Sequence, residues 1–261
     1  MNRFHATIAL GLAGCLLFFH SSAHAAKKST YKAIAVTNGG TISGRVTFKG
    51  AVPTIAPLKV PKDKDFCGAT LPSDVLIVGK AGGLKNAVVS LRGVTEGKAL
   101  DLKQAITLSN KKCMFEPHVV AVPVRSKLAI VNDDPILHNT HSFLGKKTIF
   151  NLALPNKGQT IKKRIKKTGA MTVRCDSHPH MSAYVLSFDH PYYTVTGENG
   201  SFTIKDIPPG IYTVTAWHED WTIVKKGKKG RIKYGKPHAV SKKITIAGGK
   251  TATVDFEFSA K

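Results

Sequence analysis

The chain has 261 residues, and its 39 Lys and Arg against 16 Asp and Glu leave a formal charge of +23. A field of that size favours acidic partners or anionic surfaces and speeds their approach. No nucleic-acid recognition motif accompanies it, and past the amino terminus no segment is long and apolar enough for a transmembrane span.

In chain order, residues 1–25 come first. Arg3 is followed by an apolar run from Ile8 to Phe19 and the small-residue pattern Ala23-His24-Ala25, which reads as a secretory signal peptide with its cleavage site. The expected location is therefore periplasmic or extracellular, which also argues against a nucleic-acid partner. Leu12-Ala13-Gly14-Cys15 offers the alternative of a lipid anchor at Cys15, although the apolar core continues beyond it through Leu16-Leu17-Phe18-Phe19. Loss of Cys15 with the signal leaves Cys67, Cys113 and Cys175. Three cysteines in an oxidising compartment suggest one disulfide and one thiol with another task.

The remainder reads as all-β. Ile42 to Phe48, Val120 to Val124, Leu128 to Val131, Ile211 to Trp217 and Val254 to Phe258 each alternate apolar with polar residues between Gly, Pro, Asn and Asp breaks. The length suits two sandwich-sized units. Gly40-Thr-Ile42-Ser-Gly44-Arg-Val46 opens the first. Asn199-Gly200-Ser-Phe202-Thr-Ile204 through Pro208-Pro209-Gly210-Ile-Tyr212-Thr-Val214 then places two strands around a Pro-Pro-Gly turn. Together these segments resemble the opening and closing signatures of the carboxypeptidase regulatory-like, transthyretin-like β-sandwich. That resemblance implies a discontinuous sandwich of residues 27–102 and 192–261, interrupted by a second β unit of residues 103–191.

The interrupting unit carries the chemistry. His138-Asn139-Thr140-His141 is followed, about 35 residues on, by Cys175-Asp-Ser-His178-Pro-His180-Met181. Two imidazoles and a thiolate with a weak axial thioether form a set midway between the preferences of Cu(I) and Cu(II). The C-x-x-H-x-x-M loop after H-N-x-H resembles the amicyanin- and plastocyanin-like cupredoxins, Greek-key β-barrels that carry electrons. The resemblance spans roughly residues 115–190 and includes Gly169 ahead of the cysteine strand. It implies one copper ion held by His138, Cys175, His178 and Met181. His180 is an alternative to His178, and His141 a neighbour that buttresses the site. With Cys175 assigned to copper, the same reading leaves Cys67 and Cys113 as the disulfide.

The function so implied is one-electron transfer without enzymatic turnover. The expected partner is an acidic redox protein such as a c-type cytochrome, or an anionic envelope surface. A copper storage or delivery protein is the alternative, drawing on the surplus histidines 118, 141 and 180. A structural envelope module with incidental metal binding is a third reading. Cys113 to His118 has a C-x4-H spacing, but the disulfide already uses the cysteine. Trp217-His218-Glu219-Asp220 reads as a surface turn rather than a second metal site. Residues 221–250 contain ten Lys or Arg and no Asp or Glu, and the Lys225 to Lys243 stretch reads as a solvated loop, with a docking face for an acidic partner as the alternative.

Overall fold

The computed structural model describes residues 31–227 and 230–260. The signal-peptide reading and Cys15 lie outside them. The described chain is all-β: its helical elements are a single turn, Lys64–Cys67, and a 3₁₀ turn, Lys80–Gly82. No described helix is long and apolar enough to cross a membrane.

The described residues form two large hydrophobic cores. The first gathers Ile42, Val46, Phe48, Leu84, Val89 and Leu91 with Phe202, Ile204, Val214, Ala216 and Phe256. It lies between two four-stranded arrangements. One has the order Tyr193–Val195, Val88–Arg92, Gly210–His218, His238–Ile246. In the other, Gly40–Lys49 is flanked by Ser201–Ile207 and by Thr251–Thr253 and then Phe256–Ser259. Alternation explains the long strand: Ile42, Val46 and Phe48 face inward while Thr41, Thr47 and Lys49 are less buried. Gly44 is required because the Val254 carbonyl oxygen lies 1.9 Å from where its Cβ would stand.

The second core gathers Leu108, Phe115, Val122, Leu128, Ile130, Leu154, Met171, Val173 and Val185 around Cys175 and Met181. Its four-stranded sheet has the order Thr160–Arg164, Lys127–Asn132, Ile106–Lys111, Met114–Glu116. The facing five-stranded sheet has the order Lys147–Leu154, His138–Leu144, Gly169–Arg174, Ser182–Phe188, Val119–Pro123. Lys127–Asn132 pairs in parallel with Ile106–Lys111, and Ser182–Phe188 with Val119–Pro123, so these neighbours cannot be simple hairpins.

The two cores share a seam. In the Val88–Arg92 and Gly210–His218 pair, Val89 and Ala216 face the first core. Their register neighbours Val88 and Trp217 point the other way, against Val119, Tyr184 and Leu186. Both faces of these strands are therefore buried, which accounts for the nearly continuous apolar run at Val88 and Val89. A second seam is the Cys67–Cys113 disulfide, whose half-cystines pack with Val60, Leu71 and Ile136.

Two surface readings are corrected by the fold. His218 and Glu219 are 1% and 2% exposed, so the turn after Trp217 is interior. Glu219 forms a buried hydrogen-bonded ion pair with His118 across the seam. The basic stretch is not simply a loop either: Ile223–Lys226 and Ile232–Tyr234 pair as antiparallel strands, and His238–Ile246 extends a sheet. Tyr234 packs against the first core, which anchors the hairpin.

Candidate metal centre

The site forms at one end of the five-stranded sheet. His138 begins its strand after a turn shaped by Asn132. The Asn132 amide donates to the Ile136 and Leu154 carbonyls at 2.9 Å each, and its oxygen accepts the Asp134 N–H at 3.1 Å. Cys175 ends the neighbouring strand, and the loop to Ser182 is closed by the Met181 N–H donating to the His178 carbonyl at 3.0 Å. One strand start and one tight loop are thereby fixed against each other by the sheet.

Three donor atoms converge there. The Cys175 Sγ lies 3.7 Å from His178 Nδ1 and 4.0 Å from His138 Nδ1, and all three fall within 4.8 Å of one another. His138, Cys175, His178 and Met181 are all fully buried. Both imidazoles turn their other nitrogen to a carboxylate. His138 Nε2–H donates to Asp134 Oδ2 at 2.9 Å, and His178 Nε2–H to Asp63 Oδ2 at 2.8 Å. These bonds fix each Nε2–H on a carboxylate and aim each Nδ1 at the sulfur, where a metal would displace any proton that Nδ1 shares with the thiolate. Asp134 is itself saturated, accepting the Lys112 and Cys113 N–H groups at 2.7 and 2.8 Å. Burial pushes its carboxyl up, but the bonds from His138, Cys113 and Lys112 hold it below the ordinary range.

The sulfur is prepared as a thiolate. Burial alone would raise the Cys175 thiol. The hydrogen bonds from His138 and His178, with the backbone N–H groups of Asn139 and His178 at 3.3 Å each, bring it down to about 6. A buried cysteine sulfur between two imidazole nitrogens is a donor set for a soft or borderline metal ion. The residues present therefore fit a metal of that type.

Not every expected residue joins them. His180 turns away: its Nε2–H donates to the Cys113 carbonyl at 3.0 Å, and burial pushes its pKa down to about 4. The structure gathers His178, not His180, with Cys175: His178 Nδ1 lies 3.7 Å from the sulfur, while the His180 ring is held by the Cys113 carbonyl. His141 sits on the opposite face of the strand from His138, as alternation requires. It hydrogen-bonds Asp176 at 2.8 Å and Thr148 at 3.0 Å, which ties the loop to the sheet without reaching the sulfur. His118 is engaged by Glu219, and Cys113 is in the disulfide, so that C-x4-H pair offers no thiolate. Cys175 is free and buried.

Asp134, Asp63 and Arg231 were not anticipated. Asp134 lies four residues before His138, a spacing open to inspection. Asp63 and Arg231 are 115 and 56 residues from their partners, and no local pattern announces them. Arg231, from the basic hairpin, donates to the Cys175 carbonyl at 3.0 Å and lies 3.8 Å from the Asp176 carboxylate.

Comparison with known proteins gives two kinds of likeness. Residues 186–247 match a family model described as the second β-sandwich domain of the BOS complex subunit NOMO1-like proteins. No curated protein matches. Among solved structures, a purple cupredoxin from Nitrosopumilus maritimus is 23% identical over 32% of this chain and 99% of its own, with a TM-score of 0.29. The Cu-containing nitrite reductase from Thermus scotoductus is 19% identical over 34% of this chain and 23% of its own, with a TM-score of 0.30. Amicyanin from Paracoccus versutus is 18% identical over 33% and 82%, also at 0.30.

Proposed function

We propose that this chain is an exported, non-enzymatic mononuclear copper protein that passes one electron at a time, with His138, Cys175, His178 and Met181 as its ligands. The observation that carries this reading is the buried convergence of the Cys175 sulfur with two imidazole Nδ1 atoms whose Nε2 atoms are both held by carboxylates. Copper bound there would supply a one-electron couple. The chain's own contribution is rigidity: two hydrogen-bonded rings, a thiol held near its thiolate form, and a loop tied to the sheet leave little to rearrange when charge changes. Met181 would supply the fourth donor, a thioether, on its place in the loop and its full burial in the same core as Cys175. In this reading the copper-bearing unit interrupts a discontinuous sandwich, and the basic surface meets an acidic redox protein such as a c-type cytochrome in the periplasm or outside the cell.

The test is metal analysis of purified protein with an absorption spectrum before and after ascorbate. One copper per chain and an intense thiolate-to-copper band that bleaches on reduction are expected. A protein that stays colourless with Cu(II), or whose colour resists ascorbate, overturns the electron-transfer reading.

A further inference from the structure

The histidine that closes the metal centre does not face solvent: His178 is fully buried, and the group against its outer nitrogen comes from a distant part of the chain. Asp63 belongs to the turn between two short paired strands, Leu58–Lys59 and Thr70–Leu71. It stands at the N-cap position of the one-turn helix Lys64–Cys67, where an aspartate ordinarily accepts a hydrogen bond from its own helix. Here it makes no such bond. Its backbone lies in the left-handed region at φ 52°, which Asp tolerates better than most residues, and its carboxylate reaches His178 Nε2 instead. Lys62 Nζ approaches the same oxygen at 3.6 Å. The turn is fixed at both ends. Val60 donates to the Ala69 carbonyl at 3.0 Å, and Cys67 is bonded covalently to Cys113, whose N–H is held by the carboxylate that also holds His138.

We propose that the turn from Val60 to Cys67 is a fixed cap over the metal centre and that Asp63 is a positioning residue for His178, an inference that rests on the copper reading above. Asp63 holds the His178 Nε2–H, so the ring presents Nδ1 inward and cannot swing out. The turn covers the edge through which a small external ligand or a chelator would otherwise enter. Three features support this together: the forgone N-cap bond, the full burial of His178, and the covalent tether that returns the turn to the residue beside Asp134. The cap makes metal exchange slow and closes the His178 edge to small molecules.

Two variants test it. In Asp63→Ala the acceptor is lost, whereas Asp63→Asn keeps an oxygen that can accept the same hydrogen bond and preserves the left-handed turn. In metal-free protein, nitrogen-resolved NMR should find the His178 Nε2–H protected from solvent exchange in the wild type. The signal should persist in Asp63→Asn and vanish in Asp63→Ala. In copper-loaded protein, release to an excess of chelator should speed up about 10-fold or more in Asp63→Ala, with Asp63→Asn in between. Azide or imidazole should perturb the copper electron-spin spectrum of Asp63→Ala at concentrations that leave the wild type unchanged. If the wild type takes up copper through Cys175 but Asp63→Ala shows the same exchange, release and ligand response, the inference is overturned alone. Wild-type protein that takes up no copper overturns both this inference and the reading it rests on.

Discussion

Cys175 takes its character from four hydrogen-bonding groups on three neighbours, His138, Asn139 and His178, rather than from its own chemistry. Each donates toward the sulfur, and their sum outweighs a burial that works against the thiolate. In metal-free protein this links folding to pH with a definite sign. The thiol lies at about 6 in the folded chain against an ordinary 9.0. The resulting stabilisation is therefore complete above the ordinary value and is lost as pH falls through about 6. Urea midpoints of metal-free wild type should fall across that window relative to those of Cys175→Ser. With copper added, Cys175→Ser should abolish the thiolate-to-copper band while the far-ultraviolet dichroism stays that of a β protein. Retention of an intense band would remove Cys175 from the site. Met181→Gln should keep copper but lower the reduction potential, because an amide oxygen favours Cu(II) over Cu(I) more than a thioether does. A redox titration reads that shift.

At the level of elements, the strands were legible where one face is core and the other solvent. Ile42, Val46 and Phe48 are buried on one side of their strand, and Leu128 and Ile130 on one side of theirs, so period-2 alternation located both. It gave poorer guidance where both faces are covered, as at Val88 and Val89, or where charge masks a short apolar period, as in Ile232–Tyr234. The C-x-x-H-x-x-M loop was legible because its residues are close in sequence. The carboxylates behind the two histidines were not legible, since Asp63 lies 115 residues from His178 and no motif couples a ligand to what orients it. The disulfide is an element-scale feature with a measurable consequence. It closes a loop of 46 residues, for which loop-closure entropy suggests about 4 kcal/mol. Cys67→Ala with Cys113→Ala should lower unfolding stability by about that amount and also speed copper release. Non-reducing mass spectrometry should find Cys67 joined to Cys113 and Cys175 unlinked; a native disulfide at Cys175 would sink the copper reading.

For the whole molecule, the charge is the dominant fact. Electron-transfer encounters are short, and their rate follows long-range attraction more than buried area. With +23 on the chain, an acidic cytochrome should reduce the protein more slowly as salt rises, since screening acts over about 8–10 Å near physiological ionic strength. Replacing Lys225, Lys226, Lys233 and Lys236 by Gln should reproduce several-fold of that loss if the hairpin is the docking face. Stopped-flow rates across a salt series distinguish a hairpin effect from a diffuse one. A flat response in both proteins would remove the electrostatic partner. The seam between the two cores carries its own charge dependence. Burial lowers the His118 pKa but Glu219 raises it further, so the net shift is upward. The pair's contribution is therefore full below the ordinary 6.5 and is lost as pH rises through the folded value. Glu219→Gln should flatten that part of the stability profile, as read by denaturation midpoints from neutral to alkaline pH.

The hydrogen bond from Arg231 to the Cys175 carbonyl has a meaning for wiring. If the turn closes the His178 edge as proposed, an electron would have few short ways in, and through-bond paths decay less steeply than jumps through space. From the sulfur, a path runs along the Cys175 backbone to its carbonyl, across one 3.0 Å hydrogen bond, and into the guanidinium of Arg231, a side chain that is 26% exposed. That guanidinium belongs to the hairpin whose lysines would attract the partner. Attraction and conduction would then converge on one side chain, and Arg231→Leu should slow intracomplex transfer even at salt where association is no longer limiting.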